Sequence, residues 1–454
     1  MKQTLYFVVL AAFMLAVGTN AQKNSTNASH WPQWRGPDFN GMARSDAPTK
    51  WSDTENVKWK AVIPGRGHST PVVWGDKLFL TTAVPTAKAV IPTPAPADGR
   101  PGGGRGGPGG GAGANQEHQF VLMCLDKKSG KILWQKVAKT ATPHEGYHGM
   151  YGSHASNSPV TDGKNVYAFF GSRGVYCYDL NGKLLWEKDL GVQMKMRLQF
   201  GEGTAAVVHD DKLLLNFDYQ GDSFIVALNK VNGNELWRAK REERSNWSTP
   251  LVVEHAGRKH VIVSASGKVR SYDLNSGKLI WDCAGLGLNT IPQPVHQDGV
   301  VYVMSGFRDP KLLAIKLGKE GDLTGTDAVL WSETRGLSYT PSPVLFDGKL
   351  YTLTDNGMLS CFDAKSGEQY YDRKSLERGV AVTASPWSYD GKLFCLNEDG
   401  VCSVIREGDD FELLHTNKLA ADDICLSTPA IAGDRLLIRA DRWLYCIRNS
   451  EKNP

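Results

Sequence analysis

The sequence predicts an all-β fold: an eight-bladed β-propeller of four-stranded antiparallel blades, closed by an N-terminal outer strand. Three observations carry this. A unit of four short strands recurs every 40-odd residues, its apolar residues alternate in twos, and the first and last units each lack what the other has in excess.

The unit is plainest in the second copy. Asn157-Ser158-Pro159-Val160 opens it and Gly163-Lys164 turns it. Val166 to Phe170 is a strand, Val175-Tyr176-Cys177-Tyr178-Asp179 another, and Asn181-Gly182-Lys183 turns into Leu184-Leu185-Trp186. The opening prolines recur at Pro71, Pro159, Pro250, Pro294, Pro343, Pro386 and Pro429, with Ala206 in the one copy lacking it, which makes eight first strands. Closing residues fall at Trp134, Trp186, Trp237, Trp281, Trp331 and Tyr371, with Leu414 in the weakest copy, which makes seven. The eighth is Trp59, which precedes every opening proline, while the C-terminal unit stops at Leu444-Tyr445-Cys446-Ile447 after its third strand. A ring in which the segment around Trp59 completes the last blade leaves no sheet end exposed. Asn-Gly and Ser-Gly pairs at Asn181-Gly182, Asn232-Gly233, Ser276-Gly277 and Ser366-Gly367 supply the positive φ of tight hairpins.

The composition agrees. Of 454 residues 41% are hydrophobic, ample for a large core, and the net charge of +4 lacks the clustered basic excess of a nucleic-acid binder. Lys2 followed by an apolar stretch over residues 4–17 and the small residues before Ala21 reads as a signal peptide cleaved after about Ala21. The expected organisation is signal peptide 1–21, N-terminal extension 22–55, propeller 56–448 and tail 449–454. No cysteine near the cleavage site supports a lipid anchor and no later stretch is apolar enough to cross a bilayer, so the mature chain is expected to be exported, periplasmic or extracellular.

Residues 85–117, rich in Pro and then Gly, interrupt the first unit between its second and third strands and are expected to be a disordered surface loop. Of eight cysteines, Cys124, Cys177, Cys361 and Cys446 share one third-strand position with Ala227, Ser271, Ala314 and Val404. That slot takes small buried side chains. Cys395 and Cys402 flank Asn397-Glu398-Asp399-Gly400. With Leu396 opposite Val401 they would face each other, a disulfide candidate.

With these residues in place, the Tyr-Asp, Ser-Gly-Lys and Trp pattern resembles the pyrroloquinoline-quinone (PQQ) type repeat of quinoprotein alcohol dehydrogenases and BamB-type outer-membrane assembly factors. The whole mature chain is similar to a group of exported bacterial PQQ-like propellers of unassigned activity. It shares Trp31-Pro32-Gln33-Trp34-Arg35-Gly36-Pro37, His144-Glu145-Gly146 and residues 221–228, 321–329 and 359–364 with them. The resemblance implies fold and export. A quinoprotein dehydrogenase would also carry two adjacent cysteines and a calcium set. The chain has no Cys-Cys pair, and the acids Glu202, Asp218 and Asp222 do not spell a calcium site.

The chemically densest loop is residues 142–156, with His144, Glu145, Tyr147, His148, Tyr151 and His154. In a propeller it opens on the channel mouth beside His68. One reading is a small-ligand or divalent-metal site, with His144, Glu145 and His148 as ligands and His68, His154 and Arg308 nearby. The other is a polar loop packed by its own rings, favoured because the spacing is not H-E-x-x-H and no helix aligns the ligands. Met194-Lys195-Met196-Arg197, Arg308 and Arg335 lie on loops of the same face and could attract an anion, and Trp247 is placed to line the channel.

The expected function is a non-catalytic exported scaffold, possible in cell-envelope processes, that offers one face to a protein, peptide or polysaccharide partner. The alternative is a PQQ- or metal-dependent oxidoreductase working at the channel mouth. No full motif supports either cofactor.

Overall fold

The computed structural model describes residues 29–86, 111–377, 379–420 and 423–450. The expected signal peptide and the C-terminal tail past Ser450 lie outside them. Eight antiparallel sheets follow one another around a ring. Blade one is Val72–Trp74, Lys77–Pro85, His118–Asp126 and Ile132–Ala141, and each later blade repeats its up-and-down order. The last blade is Ala430–Ala432, Arg435–Arg439 and Trp443–Ile447 plus the N-terminal strand Val57–Val62, which pairs antiparallel with Trp443–Ile447 and sets Trp59 opposite Cys446. Chain start and chain end thus share one sheet, and the ring has no free end.

The small third-strand slot has a physical partner. Cys124, Cys177, Cys361 and Cys446 face Trp134, Trp186, Tyr371 and Trp59 across the fourth strand, and Ala227, Ser271 and Ala314 face Trp237, Trp281 and Trp331. A small residue below leaves room for a large ring above. Five of these indoles dock on the next blade: Trp59, Trp134, Trp186, Trp237 and Trp331 each donate Nε1–H to a carbonyl there, at 2.8–3.3 Å. The docking needs glycine. A Cβ on Gly277 (φ +70°) would stand 2.5 Å from the Trp237 ring, and one on Gly130 2.5 Å from Trp59.

Three expectations need correcting, and a fourth falls mostly outside the described residues. In the seventh blade His415, not Leu414, stands opposite Val404, because the bulge that follows pairs Ile405 with Leu413. Blade four has a short fifth strand, Gly321–Asp322, parallel to Leu279–Ala284, and it lies against Trp281, which is wholly buried there. Cys395 and Cys402 are not opposed. The hairpin bonds Asn397 to Val401 around a three-residue loop ending at Gly400 (φ +77°), which slips the register by one and pairs Cys395 with Ser403 and Leu396 with Cys402. The two thiols therefore enter different hydrophobic clusters, and all eight cysteines are free and buried. Lastly, residues 87–110 of the Gly-rich insertion lie outside the described residues. Its end is ordered: Ala112 pairs with Tyr147, and Thr86 N–H donates to the Glu117 carbonyl. No helix among the described residues is long and apolar enough to cross a membrane.

The Ser/Thr-Pro openings of the first strands form a belt around the axis. The backbone N–H of the residue before the proline position donates to a hydroxyl of the next blade: Thr70 to Ser158 Oγ, Ala205 to Thr249 Oγ1, Gln293 to Ser342 Oγ, Ser342 to Ser385 Oγ and Ser385 to Thr428 Oγ1, all at 2.9–3.2 Å. The Thr70 hydroxyl closes the circle on the Thr428 carbonyl at 2.8 Å. Links are missing where the next blade offers no hydroxyl, at Ala205 and at Gln293. The latter uses its amide on the Pro250 carbonyl instead.

Candidate functional site

The channel is a cup with a floor. Residues 31–45 run across its far end. Trp31 exchanges both backbone hydrogen bonds with Val73 of blade one, and Thr161 N–H of blade two donates to the Pro32 carbonyl. Ser388 of blade seven bonds Gly41 and Ala43, and Ser45 Oγ donates to the Gly433 carbonyl of blade eight. Arg35 locks the segment. Its guanidinium is wholly buried and donates to the carbonyls of Pro386 (2.8 Å), Pro343 (2.6 Å) and Asn40 (2.9 Å). Burial pulls it down to about 9. Trp34 faces the cup, while Pro32, Asp38 and Phe39 face a groove of about 700 Å³ on the opposite side.

The cup holds about 420 Å³ and is walled by the loops that enter the first strands, with Phe307 and Arg308 from a loop between second and third strands. This is the mouth the sequence predicts. His68, His148, Arg308, Arg197 and Trp247 line it. His144, Glu145 and His154 do not.

The loop 142–156 is a packed structural element. His144 Nε2 lies 2.8 Å from the Met194 carbonyl, which can only accept, so the proton is on Nε2 and Nδ1 accepts from Arg173 at 3.0 Å. Both nitrogens are spent and none is left for a metal. Glu145 Oε2 accepts Met196 N–H at 2.8 Å. His148 Nδ1 accepts Tyr151 N–H at 3.3 Å, its ring stacked on Tyr151 and edge-on to Phe200. His154 lies against Tyr147, His118 and the Gly113 carbonyl, and burial lowers it to about 4. Among the described residues no group of three or more His, Cys, Asp or Glu is set to hold a metal, so the His144, Glu145 and His148 ligand set of the metal reading is not formed. His68 is held by Asp441 instead, its Nε2 3.6 Å from Oδ1, with Arg66 Nε at the same distance. Burial lowers His68 despite that carboxylate. Arg335 pairs with Asp372 at 3.2 Å and does not line the cup.

Among the described residues Glu202 is the one acid in the cup lining. One of its oxygens accepts Ser172 N–H and the other Ser172 Oγ–H, both at 2.6 Å. Burial raises it although Arg173 pulls the other way. A Cβ on Gly171 would collide with this carboxylate, so glycine there makes the pocket for it. Asp218 is spent in a wholly buried bidentate pair with Arg241. A calcium-held quinone needs several carboxylate or amide oxygens facing the cup. One committed acid, and cysteines that are nowhere adjacent in the chain, do not fit it. The role of Trp34 and Arg35 was not read from sequence, although their Trp-Pro-Gln-Trp-Arg-Gly-Pro run stands out of phase with the repeats. Asp441 gave no signal beyond a strand end.

These features define a class: a sealed eight-bladed propeller presenting one loop-walled cup floored by its own N-terminal segment. Residues 118–306 and 319–442 match the family described as Outer membrane protein assembly factor BamB, and the chain belongs to that family. It is 24% identical over 341 residues to the outer membrane protein assembly factor BamB of Moranella endobia, covering 70% of this chain and 78% of that one. Among solved structures, BamB of Moraxella catarrhalis matches 88% of this chain and 98% of its own at 12% identity and a TM-score of 0.59. Quinohemoprotein alcohol dehydrogenase of Comamonas testosteroni matches 95% and 82% at 10% identity and a TM-score of 0.62. At such identities the structural likeness is one of fold.

Proposed function

We propose that this protein is an exported envelope scaffold that serves the assembly of outer-membrane proteins by binding protein partners through the loops of its cup face. The family match over most of the ring is the observation that carries the reading. The geometry supports it: a ring sewn shut by its first strand and belted by hydroxyls holds those loops on a rigid frame. The fold likeness to quinohemoprotein alcohol dehydrogenase keeps a PQQ- or metal-dependent oxidoreductase as the alternative, and the paired Glu202 weighs against it.

Deleting the gene in the source organism and measuring folded outer-membrane barrel proteins by heat-shifted gel migration tests the proposal. Reduced levels, restored by the intact gene, are expected. Unchanged levels, with PQQ- and Ca²⁺-dependent dye reduction by the purified protein, would replace it with the alternative.

A further inference from the structure

The cup has the chemistry of an anion site with ring-stacking walls. Trp34 forms its floor, and Trp247, Phe307 and Tyr339 stand around it. Arg197 and Arg308 line the same space, and an adjoining cavity of about 340 Å³ shares Arg197 and adds Arg244. Among the described residues none of these three guanidiniums is in an ion pair, Arg308 lying over the Phe307 ring, and the one acid of the described lining, Glu202, is already held by Ser172. The surplus of charge is therefore positive and available.

Three residues with left-handed backbone lie in the same walls. Leu198 (φ +51°), Asn289 (φ +55°) and Arg308 (φ +43°) are non-glycine residues in left-handed conformation, and all three line the cup. Of the others, Asp210, Asp298 and Asp390 lie at two-residue hairpin turns, where that conformation is ordinary, and Phe39, Glu242 and Arg373 lie elsewhere in the ring. Strain retained in pocket walls by the surrounding fold is a mark of a pre-organised site.

The polar groups point to the kind of ligand. A peptide main chain would need a row of unused backbone donors, and the first-strand N–H groups at Thr70, Ala205, Ser342 and Ser385 are already spent in the belt. The hydroxyls of Ser158, Thr249, Ser385 and Thr428 each accept one N–H of the belt and keep their own O–H, and with the Asn289 side chain they lie around aromatic faces, an arrangement that suits sugar hydroxyls and the apolar faces of sugar rings. We propose that the cup and its adjoining cavity bind an acidic oligosaccharide, its rings on Trp34, Trp247 and Tyr339 and its carboxylates on Arg197, Arg308 and Arg244. This stands whether or not the protein serves outer-membrane assembly.

The test is a titration of the purified full chain, followed by tryptophan fluorescence. The probes are a galacturonic acid tetramer, a neutral glucose tetramer, a Glu-rich peptide and PQQ. A saturable change with the acidic tetramer, weakened by salt and absent with the neutral one, is expected. Arg308→Ala and Arg197→Ala should each weaken it about tenfold, the scale of one charge-assisted hydrogen bond, while Arg335→Ala leaves it unchanged. Arg308 is exposed, so its variant should keep the parent melting temperature. No saturation by about 10 mM, equal binding of the neutral tetramer, or tighter binding of the peptide or the quinone would overturn the proposal.

Discussion

The hydroxyl belt makes a signed prediction. Ser385 Oγ accepts the Ser342 N–H at 2.9 Å, and both residues are almost wholly buried. Ser385→Ala leaves a buried N–H without its acceptor. That costs about 1–3 kcal/mol, more than the ~1 kcal/mol a hydrogen bond contributes when both partners are solvated in its absence. Ala205 is the reverse case. It holds the belt position of blade three, is nearly buried, and offers no hydroxyl to the Ser158 N–H of blade two. Ala205→Ser supplies one beside the open space of the cup and should stabilise by up to ~1 kcal/mol. Thr428→Ser keeps its oxygen toward Ser385 N–H and should cost least, chiefly the lost methyl. Urea unfolding followed by circular dichroism gives the three values. If Ser385→Ala costs less than Thr428→Ser, or Ala205→Ser destabilises like a core insertion, the belt does not bind the blades and the argument fails.

Three further outcomes follow from buried groups. His154 has a folded value near 4 against 6.5 when exposed, so its contribution is complete above pH 6.5 and is lost as pH falls toward 4. The parent should lose about 2 kcal/mol more than His154→Phe between pH 7 and 4.5, and equal losses in the two would contradict the burial. Arg35→Ala strips the donor from two buried carbonyls and one half-buried one and should loosen the floor of the cup. Limited proteolysis should then cut within residues 31–45, which stay intact in the parent. Thiol titration should find no reactive cysteine in the folded protein and eight in denaturant, whereas six would mean one disulfide forms.

The repeat was fully legible because each blade writes the same local physics: alternation in strands, glycine at tight turns, an aromatic residue over a small slot. Ring closure was legible too, since Trp59 and the truncated last unit are complementary in the chain itself. Register was not. Whether Gly400 ends a three- or a four-residue loop decides if Cys395 faces Cys402, and the residues alone allow both. The seventh blade likewise offered Leu414 as the more apolar choice, and the bulge at Ile405 placed His415 instead.

The cup was legible only in outline. Sequence order put His68, His148, Arg308 and Trp247 at one mouth because loops of one kind share one end of a propeller. The dense histidine loop drew attention by its composition, yet its side chains are spent on the carbonyl of Met194, the amide of Met196 and the Arg173 guanidinium, partners separated from it by 29 to 51 residues. Trp34 reaches the axis, and Arg35 meets carbonyls more than 300 residues away, only because the ring has already formed. Local periodicity therefore determined the architecture and its closure from sequence alone. Which polar groups are consumed by one another, and which are left to face a ligand, depends on distances across the axis that only the folded ring sets.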